Sequence, residues 1–154
     1  MNFDVTAMGE LLIDFTQNGV SEQGNNLFEA NPGGAPCNVL AMLNKLGKKT
    51  AFIGKVGDDL FGRLLTKVVS QAGIDISGLI SDTSNRTTLA FVQNSPDGDR
   101  DFSFYRNPGA DQMITSSEVH TDIIQNSKVF HFGTLSLTDE PARSASQSAV
   151  DAAA

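Results

Sequence analysis

The chain has 154 residues and a formal net charge of −7, with 40% hydrophobic and 19% charged residues, as expected for a globular domain with a real core. The acidic balance argues against nucleic acid or an anionic membrane as the main partner, and no apolar run approaches the roughly 20 residues that span a bilayer. The single cysteine, Cys37, excludes an internal disulfide, and with the lack of a basic leader it predicts a cytoplasmic protein.

The first elements follow from apolar runs. Residues 3–8 and 11–15 are apolar with two residues between them, which predicts one buried strand with Asp14 at its end. Residues 16–31 are polar and rich in Asn, Gln and Gly, and this composition predicts a loop or short edge strands.

A helix is predicted from Pro36 to about Leu46, closed by Gly47, and the next strand is TAFIGKVG. One apolar stripe runs along the helix, the pattern of a face that packs on a core: Val39, Met42, Leu43 and Leu46.

A second helix is capped by Asp58 or Asp59, runs through Ala72 and ends at Gly73. Its inward residues are predicted to be Phe61, Leu64, Leu65 and Val68. The start of this helix, GDDLFGRL, approaches a phosphate-binding loop. The two aspartates would repel phosphate, so we interpret it as a helix start and not as a nucleotide loop.

Two strand-like runs come next, TTLAFVQ (87–93) and DFSFYR (101–106), around the turn-rich NSPDGDR. They predict a β-hairpin that stands off the core. Alternation places two groups on opposite faces: Phe102, Phe104 and Arg106 on one, Ser103 and Tyr105 on the other.

A helix near 116–126, a strand at 128–133 and a last helix, with Asp139 as cap and Pro141 in its first turn, resume the alternation. Strand–helix alternation predicts an α/β fold with a mostly parallel sheet and helices on both faces. The last helix reaches Ala154 without a stop signal, so we expect a longer protein.

Ligands of open α/β sheets bind beyond the carboxyl ends of the strands. A carboxylate (Asp14), bare backbone (Gly33 and Gly34) and an amide (Asn38) are predicted to meet there. This combination suits a polyol, whose hydroxyls both donate and accept hydrogen bonds. The alternative is that the glycines only make a tight turn and that Asn38 only caps the helix.

Other polar residues carry weaker predictions. Arg106 either contacts a ligand's oxygens or is a solvent-exposed charge of the hairpin. Asp111 either caps the next segment of the chain or reaches the ligand, and a cap is favoured. His120 and His131 lie on different elements without metal-ligand spacing, so no metal site is expected. Cys37 is interpreted as inert packing.

Three stretches of the sequence stand out as motifs: "GGAPCN" with its following glycines, "GKVGDDLFGRLL" and "FYRNPGAD". Together they resemble the amino-terminal half of the ribokinase-like (phosphofructokinase-B) sugar kinases, and fructokinases in particular. The resemblance covers essentially all of residues 1–154. One departure is Leu40, where the family usually has a small residue, and this bears on local packing.

The resemblance implies that four residues hold the sugar's hydroxyls: Asp14, Gly33, Gly34 and Asn38. It implies that segments 16–31 and 87–106 form a lid over the sugar, and that Arg106 reaches the sugar from the lid side. It also implies ATP and Mg²⁺, with a monovalent cation such as K⁺, bound mainly by a carboxyl-terminal portion that this chain lacks.

The family's catalytic aspartate lies in a Gly-Ala-Gly-Asp run, which this sequence does not contain; NPGAD (107–111) belongs to the lid-side motif. We therefore expect no catalytic residue in this chain and no activity from the chain alone. The complete protein is expected to be an ATP-dependent fructokinase and a homodimer through the lid. The alternatives are a kinase of another sugar, sugar acid or nucleoside, a non-catalytic sugar-binding fragment, and an unrelated flavodoxin-like domain.

Overall fold

The computed structural model describes residues 2–94 and 100–154, which form two four-stranded sheets. The strands, in chain order, are β1 (Phe3–Met8), β2 (Leu12–Val20), β3 (Asn26–Gly33), β4 (Thr50–Gly57), β5 (Asp75–Asp82), β6 (Leu89–Asn94), β7 (Arg100–Tyr105) and β8 (Ser127–Phe132). The first sheet has the order β5-β4-β1-β8 and is parallel throughout. The second sheet has the order β3-β2-β6-β7, in which only β2 and β6 are parallel.

Helices cover both faces of the parallel sheet, which confirms the predicted fold class. The helices are α1 (Ala35–Lys45), α2 (Leu60–Gln71), α3 (Thr121–Gln125) and α4 (Ala142–Ala153). Alternate residues of β1 point into two cores: Ala7 packs with residues of α1 and α2, whereas Met8 packs with residues of α3 and α4. No helix in the described ranges is long and apolar enough to cross a membrane.

The single strand predicted around Asp14 is wrong, because the two apolar runs lie in different sheets. The chain leaves the parallel sheet at Gly9, where any side chain would meet the ring of Pro36, 2.6 Å from a β-carbon. Asp14 therefore lies near the start of β2 and not at the end of a core strand. The polar run after it forms the end of β2 and most of β3. β3 is an edge strand, one of the two structures predicted for 16–31, whereas β2 lies between β3 and β6.

The apolar stripe of α1 does not face the core. Its residues are largely exposed: Val39 (41%), Met42 (59%) and Leu46 (68%). The buried side of the helix instead carries Pro36, Cys37 and Leu40. The ring of Pro36 lies close to Gly9 and Gly133, and this contact sets the rotation of the helix about its axis. Leu40 is fully buried in the core between the sheet and α1.

The predicted cap of α2 is Asp59, whose carboxylate accepts a hydrogen bond from the Gly62 amide at 2.8 Å. Leu65 is buried as predicted, but Leu64 is 37% exposed. The carboxylate of Asp59 also accepts hydrogen bonds from the amide and hydroxyl of Thr87, both at 2.8 Å. The amide at the start of α2 is thus bound by the protein's own Asp59 carboxylate. This confirms that GDDLFGRL is a helix start.

β6 and β7 form the predicted antiparallel hairpin. Phe102 and Phe104 stack on one face with ring centroids 6.2 Å apart, and Tyr105 meets Phe91 edge-on at 5.2 Å on the other face. The predicted turn at 95–99 lies outside the described residues.

Two predictions about the last third of the chain are wrong. The helix predicted at 116–126 is broken into a 3₁₀ turn, Ser116–Glu118, and α3, because Val119 turns inward between them and is buried in the core beside α4. Asp139 does not cap α4, since its carboxylate accepts hydrogen bonds from Gln112 at 3.0 Å and from Thr138 at 2.9 Å.

Candidate functional site

The start of α1 is the centre of the candidate site, because three consecutive residues there contact two acidic residues. A β-carbon on Gly33 would stand 2.9 Å from Cγ of Asp14 and closer still to its carboxylate. At Gly34, a β-carbon would collide with the backbone oxygen of Glu10. The amide of Ala35 donates a hydrogen bond to Oε1 of Glu10 at 2.9 Å.

Gly34 has a second reason to be glycine. Its φ of 121° and ψ of 116° lie in a region that side chains rarely adopt. The bare backbone predicted at Gly33 and Gly34 is thus required by the packing of Asp14 and Glu10 and by the local conformation. A tight turn alone does not account for these contacts.

Asp14 and Asn31 face each other across the β2–β3 pair. Cross-strand partners share a face of the sheet, so both side chains lie on the same side as the contact with Gly33. The Asn31 amide nitrogen donates to Oγ1 of Thr16 at 3.2 Å. Sequence reasoning did not single out Asn31, because its position opposite Asp14 depends on the register between β2 and β3. Burial raises the pKa of Asp14 above its ordinary value.

Asn38 lies in the first turn of α1 and is exposed. Its backbone amide donates to the Gly34 oxygen at 3.0 Å, while its side chain makes no capping bond. Within the described part of the chain the Asn38 amide group has no hydrogen-bond partner. The two donors and one acceptor of its side chain are therefore available to a ligand.

Glu10 was not predicted as a site residue. It is 4% exposed and reaches from the end of β1 to the first amide of α1. Its second oxygen, Oε2, is buried without a hydrogen-bond partner among the described residues and lies 2.9 Å from where a β-carbon on Gly133 would stand. An acidic residue directly after a glycine at a strand end was the available sequence signal.

Arg106 is not a solvent-exposed charge in this structure. Its guanidinium pairs with the carboxylate of Asp111 at 3.2 Å, and their side chains are 9% and 2% exposed. The hydroxyl of Thr88 donates a hydrogen bond to the same carboxylate. Burial raises the pKa of Asp111 despite these partners. The prediction that Asp111 is a cap is wrong, because its carboxylate points inward to Arg106.

The Arg106–Asp111 ion pair is connected through β2 to the segment Gly33–Ala35, called here the glycine loop. The amide of Ile13, next to Asp14, donates to the backbone oxygen of Thr88 at 3.2 Å, and the Thr88 hydroxyl contacts Asp111. The structure thus brings Asp14 into contact with Gly33, next to Gly34, and places Asn38 one turn further on. It also ties Arg106 to the base of the same strand pair.

The remaining candidates lie apart from this loop. His120 is exposed near Asp122, with 3.9 Å between Nδ1 and the carboxylate. Burial raises the pKa of the Cys37 thiol to about 11. Over 2–94 and 100–154 no group of three histidine, cysteine or acidic residues is arranged to hold a metal ion. The site instead offers a carboxylate, an unpaired amide and glycine backbone, which suit hydroxyl groups.

The sequence matches one known family over nearly its whole length. Residues 2–154 match the family described as pfkB family carbohydrate kinase. The chain is 46% identical to the probable fructokinase-5 of Arabidopsis thaliana over 151 residues, which cover 97% of this chain and 47% of that protein. It spans about half the length of the curated relatives it matches.

Solved structures with a similar fold include fructokinases as well. The crystal structure of a fructokinase from Xylella fastidiosa superimposes with a TM-score of 0.92 at 30% sequence identity, covering 99% of this chain and 47% of that one. The structure of the Xylella fastidiosa fructokinase with bound ATP gives a TM-score of 0.90 at 30% identity, with 99% and 49% coverage.

Proposed function

Because the chain belongs to the pfkB family of carbohydrate kinases, we propose that it supplies the sugar-binding part of an ATP-dependent fructokinase. The contact between the Asp14 carboxylate and Gly33, with Asn38 in the first turn of the helix that follows, carries the proposal. The similarity to proteins named fructokinase supports fructose as the sugar.

Each of these groups has a task in holding a sugar. The Asp14 carboxylate accepts hydrogen bonds from two hydroxyls, and charge-assisted bonds of this kind are the stronger ones. Gly33 leaves the room in which the Asp14 carboxylate lies. The backbone of Gly33 and Gly34 binds sugar hydroxyls through its polar groups, and Asn38 donates to and accepts from further hydroxyls. Because these groups sit on β2 and the start of α1, the sugar is oriented by elements of regular structure.

The second sheet serves as the lid. It consists of β2 and β3 with the β6–β7 hairpin, and one of its faces carries Asp14 and Asn31. Closing over the sugar excludes water, which otherwise competes with the sugar hydroxyl as phosphoryl acceptor. Arg106, paired with Asp111 at the base of the hairpin, reaches the sugar when the lid is closed.

ATP is the phosphoryl donor, with Mg²⁺ and a monovalent cation such as K⁺. The ATP-bound structure of a similar fructokinase supports the donor. The loop at 57–64 does not fit a phosphate site, since Asp59 occupies the Gly62 amide. We place the donor site and the catalytic aspartate in the half of the relatives' length that this chain does not cover.

We further propose that the complete enzyme is a cytoplasmic homodimer that associates through the lid.

The alternative candidate is a kinase of another sugar, a sugar acid or a nucleoside, for which the same hydroxyl-binding groups would serve. The substitution Asn38→Ala, made in the protein at its natural length, tests the proposed site. We expect affinity for fructose to fall at least tenfold, about 1.4 kcal/mol, because a buried sugar hydroxyl loses its partner.

Gln125→Ala is the matched control, since Gln125 is an exposed amide on α3, on the opposite side of the parallel sheet. It should bind fructose as the unmodified protein does. Unchanged affinity in Asn38→Ala would remove Asn38 from the site. A panel of ketoses, aldoses, sugar acids and nucleosides turned over with ATP decides the substrate.

A further inference from the structure

The start of α1 has the form of an anion site whose first amide is taken by one of the protein's own carboxylates. Glycine-rich loops before a helix bind phosphate or carboxylate through free amides and the positive end of the helix dipole. Here Ala35 donates its amide to Glu10 at 2.9 Å, Pro36 has no amide hydrogen, and Asn38 donates its backbone amide to Gly34 at 3.0 Å.

The charge of Glu10 is not neutralised by a neighbour. Among the described residues no lysine, arginine or histidine forms an ion pair with it. Its Oε2 atom is buried without a hydrogen-bond partner and lies beside Gly133, at the carboxyl end of β8. Because Glu10 is 4% exposed, water screens this charge weakly.

A second carboxylate lies on the same loop. Asp14 packs against Gly33, and the backbone and carboxylate of Glu10 contact the next two residues, Gly34 and Ala35. Two acidic side chains therefore flank three consecutive residues. A neutral polyol gains from such acceptors, whereas a phosphate or carboxylate on the ligand is repelled by both.

We propose that Glu10 is a specificity-determining residue, which fills the anion-binding start of α1 so that the site accepts a neutral sugar and rejects an anionic one. This inference rests on the proposed function, since it concerns the same sugar site. Asp14 binds hydroxyls directly. Glu10 acts from beneath the glycine loop through its charge.

The test is Glu10→Gln in the protein at its natural length. Glutamine keeps the acceptor for the Ala35 amide and removes the charge. The probes are fructose, fructose 1-phosphate and fructose 6-phosphate, whose dissociation constants are measured by calorimetry or competition. A unit charge about 7–10 Å away, at an effective dielectric constant of about 20, changes an equilibrium roughly 10- to 50-fold.

We expect Glu10→Gln to bind at least one phosphate ester tenfold or more tightly than the unmodified protein does, with fructose affinity within about threefold. Asp151→Asn, which makes the same change in net charge at an exposed residue of α4, outside the lid, should leave both affinities unchanged. Glu10→Asp keeps the charge and should keep the discrimination even where its stability falls.

Equal changes for fructose and its phosphates in Glu10→Gln would overturn the inference, and so would lost discrimination in Glu10→Asp, because either result assigns Glu10 to loop shape alone. If the unmodified protein does not bind fructose at all, the proposed function fails. If fructose binds and the discrimination does not change, only this inference fails.

Discussion

Asp14 and Gly33 lie on neighbouring antiparallel strands, and the carboxylate of Asp14 occupies the space that a side chain at position 33 would need. The β-carbon of any other residue would stand 2.9 Å from Cγ of Asp14, inside any normal contact. The glycine and the acid are therefore one unit: the first leaves room and the second fills it. The position of the Asp14 carboxylate, and with it the proposed sugar site, depends on this pairing.

Gly33→Ala should displace the Asp14 carboxylate and lower affinity for fructose at least tenfold. The measurement is the dissociation constant, with circular dichroism to confirm folding. Gly47→Ala is the control, because Gly47 has a φ of 78° and open space around it and lies after α1, outside the lid. The control should lose roughly 1 kcal/mol of stability and keep its affinity. Equal loss of affinity in both variants would contradict the account.

A buried cluster around Lys55 holds β4 to the segment before α3. The Lys55 ammonium lies 2.8 Å from Glu118 and 3.5 Å from Asp82, and it donates to the Met113 oxygen at 3.1 Å. Burial by itself raises the pKa of both carboxyls, but hydrogen bonds, including that of Lys55 to Glu118, outweigh it. The pKa of Glu118 and that of Asp82 consequently lie below their ordinary values.

Lys55→Met should destabilise the protein by about 1–3 kcal/mol at neutral pH, since it leaves two carboxylates without their cation. Lowered folded-state pKa values contribute stability above the unfolded values, 3.8 for Asp82 and 4.5 for Glu118, and this stability is lost as pH falls through the folded-state values. Urea unfolding at about pH 7 and pH 3 should therefore show a smaller difference between the two proteins in acid. A difference that stays constant with pH would contradict this explanation.

Asp111→Asn should cost about 3–5 kcal/mol of stability, because it leaves the buried guanidinium of Arg106 without a counter-charge. Asp58→Asn is the matched control. Asp58 pairs with Arg63 at 2.9 Å, but both side chains are more than half exposed, so its loss should cost about 0–1 kcal/mol. Chemical denaturation measures the free energy of unfolding of both variants. Equal losses of stability would show that burial of the Arg106–Asp111 pair does not increase its contribution to stability.

Cys37 should be unreactive in the folded protein. It is buried, and burial raises the pKa of its thiol to about 11, so the reactive thiolate is scarce at neutral pH. A thiol reagent should label the folded chain far more slowly than the chain in concentrated urea. Labelling at the same rate in both conditions would place Cys37 at the surface.

The sequence was informative where a local signal determines structure. The strand–helix alternation predicted the parallel sheet with helices on both faces, and the acidic cap and apolar period predicted α2. Asp14, Gly33, Gly34 and Asn38 were predicted from residue type and spacing, and the structure places Asp14 against Gly33, next to Gly34.

Other features depend on contacts between distant segments, which no local pattern shows. The period of α1 located the helix, but the contact of Pro36 with Gly9 decides which side is buried. The pairing of Asn31 with Asp14 depends on the register of β2 and β3. The contact of Glu10 with Ala35 joins residues 25 positions apart. The burial of Arg106 against Asp111 likewise depends on how the hairpin packs, which no local pattern shows.

The most direct test of the central claim is an ATP-coupled phosphorylation assay on the protein at its natural length, with fructose as acceptor, comparing the unmodified protein with Asp14→Asn. We predict turnover of fructose by the unmodified protein and a fall in kcat/KM of about 100-fold or more in the variant, roughly two to three kcal/mol for a charge-assisted hydrogen bond at the sugar. Equal turnover of fructose by both proteins would contradict the assigned site, and no turnover of fructose by the unmodified protein would contradict the proposed function.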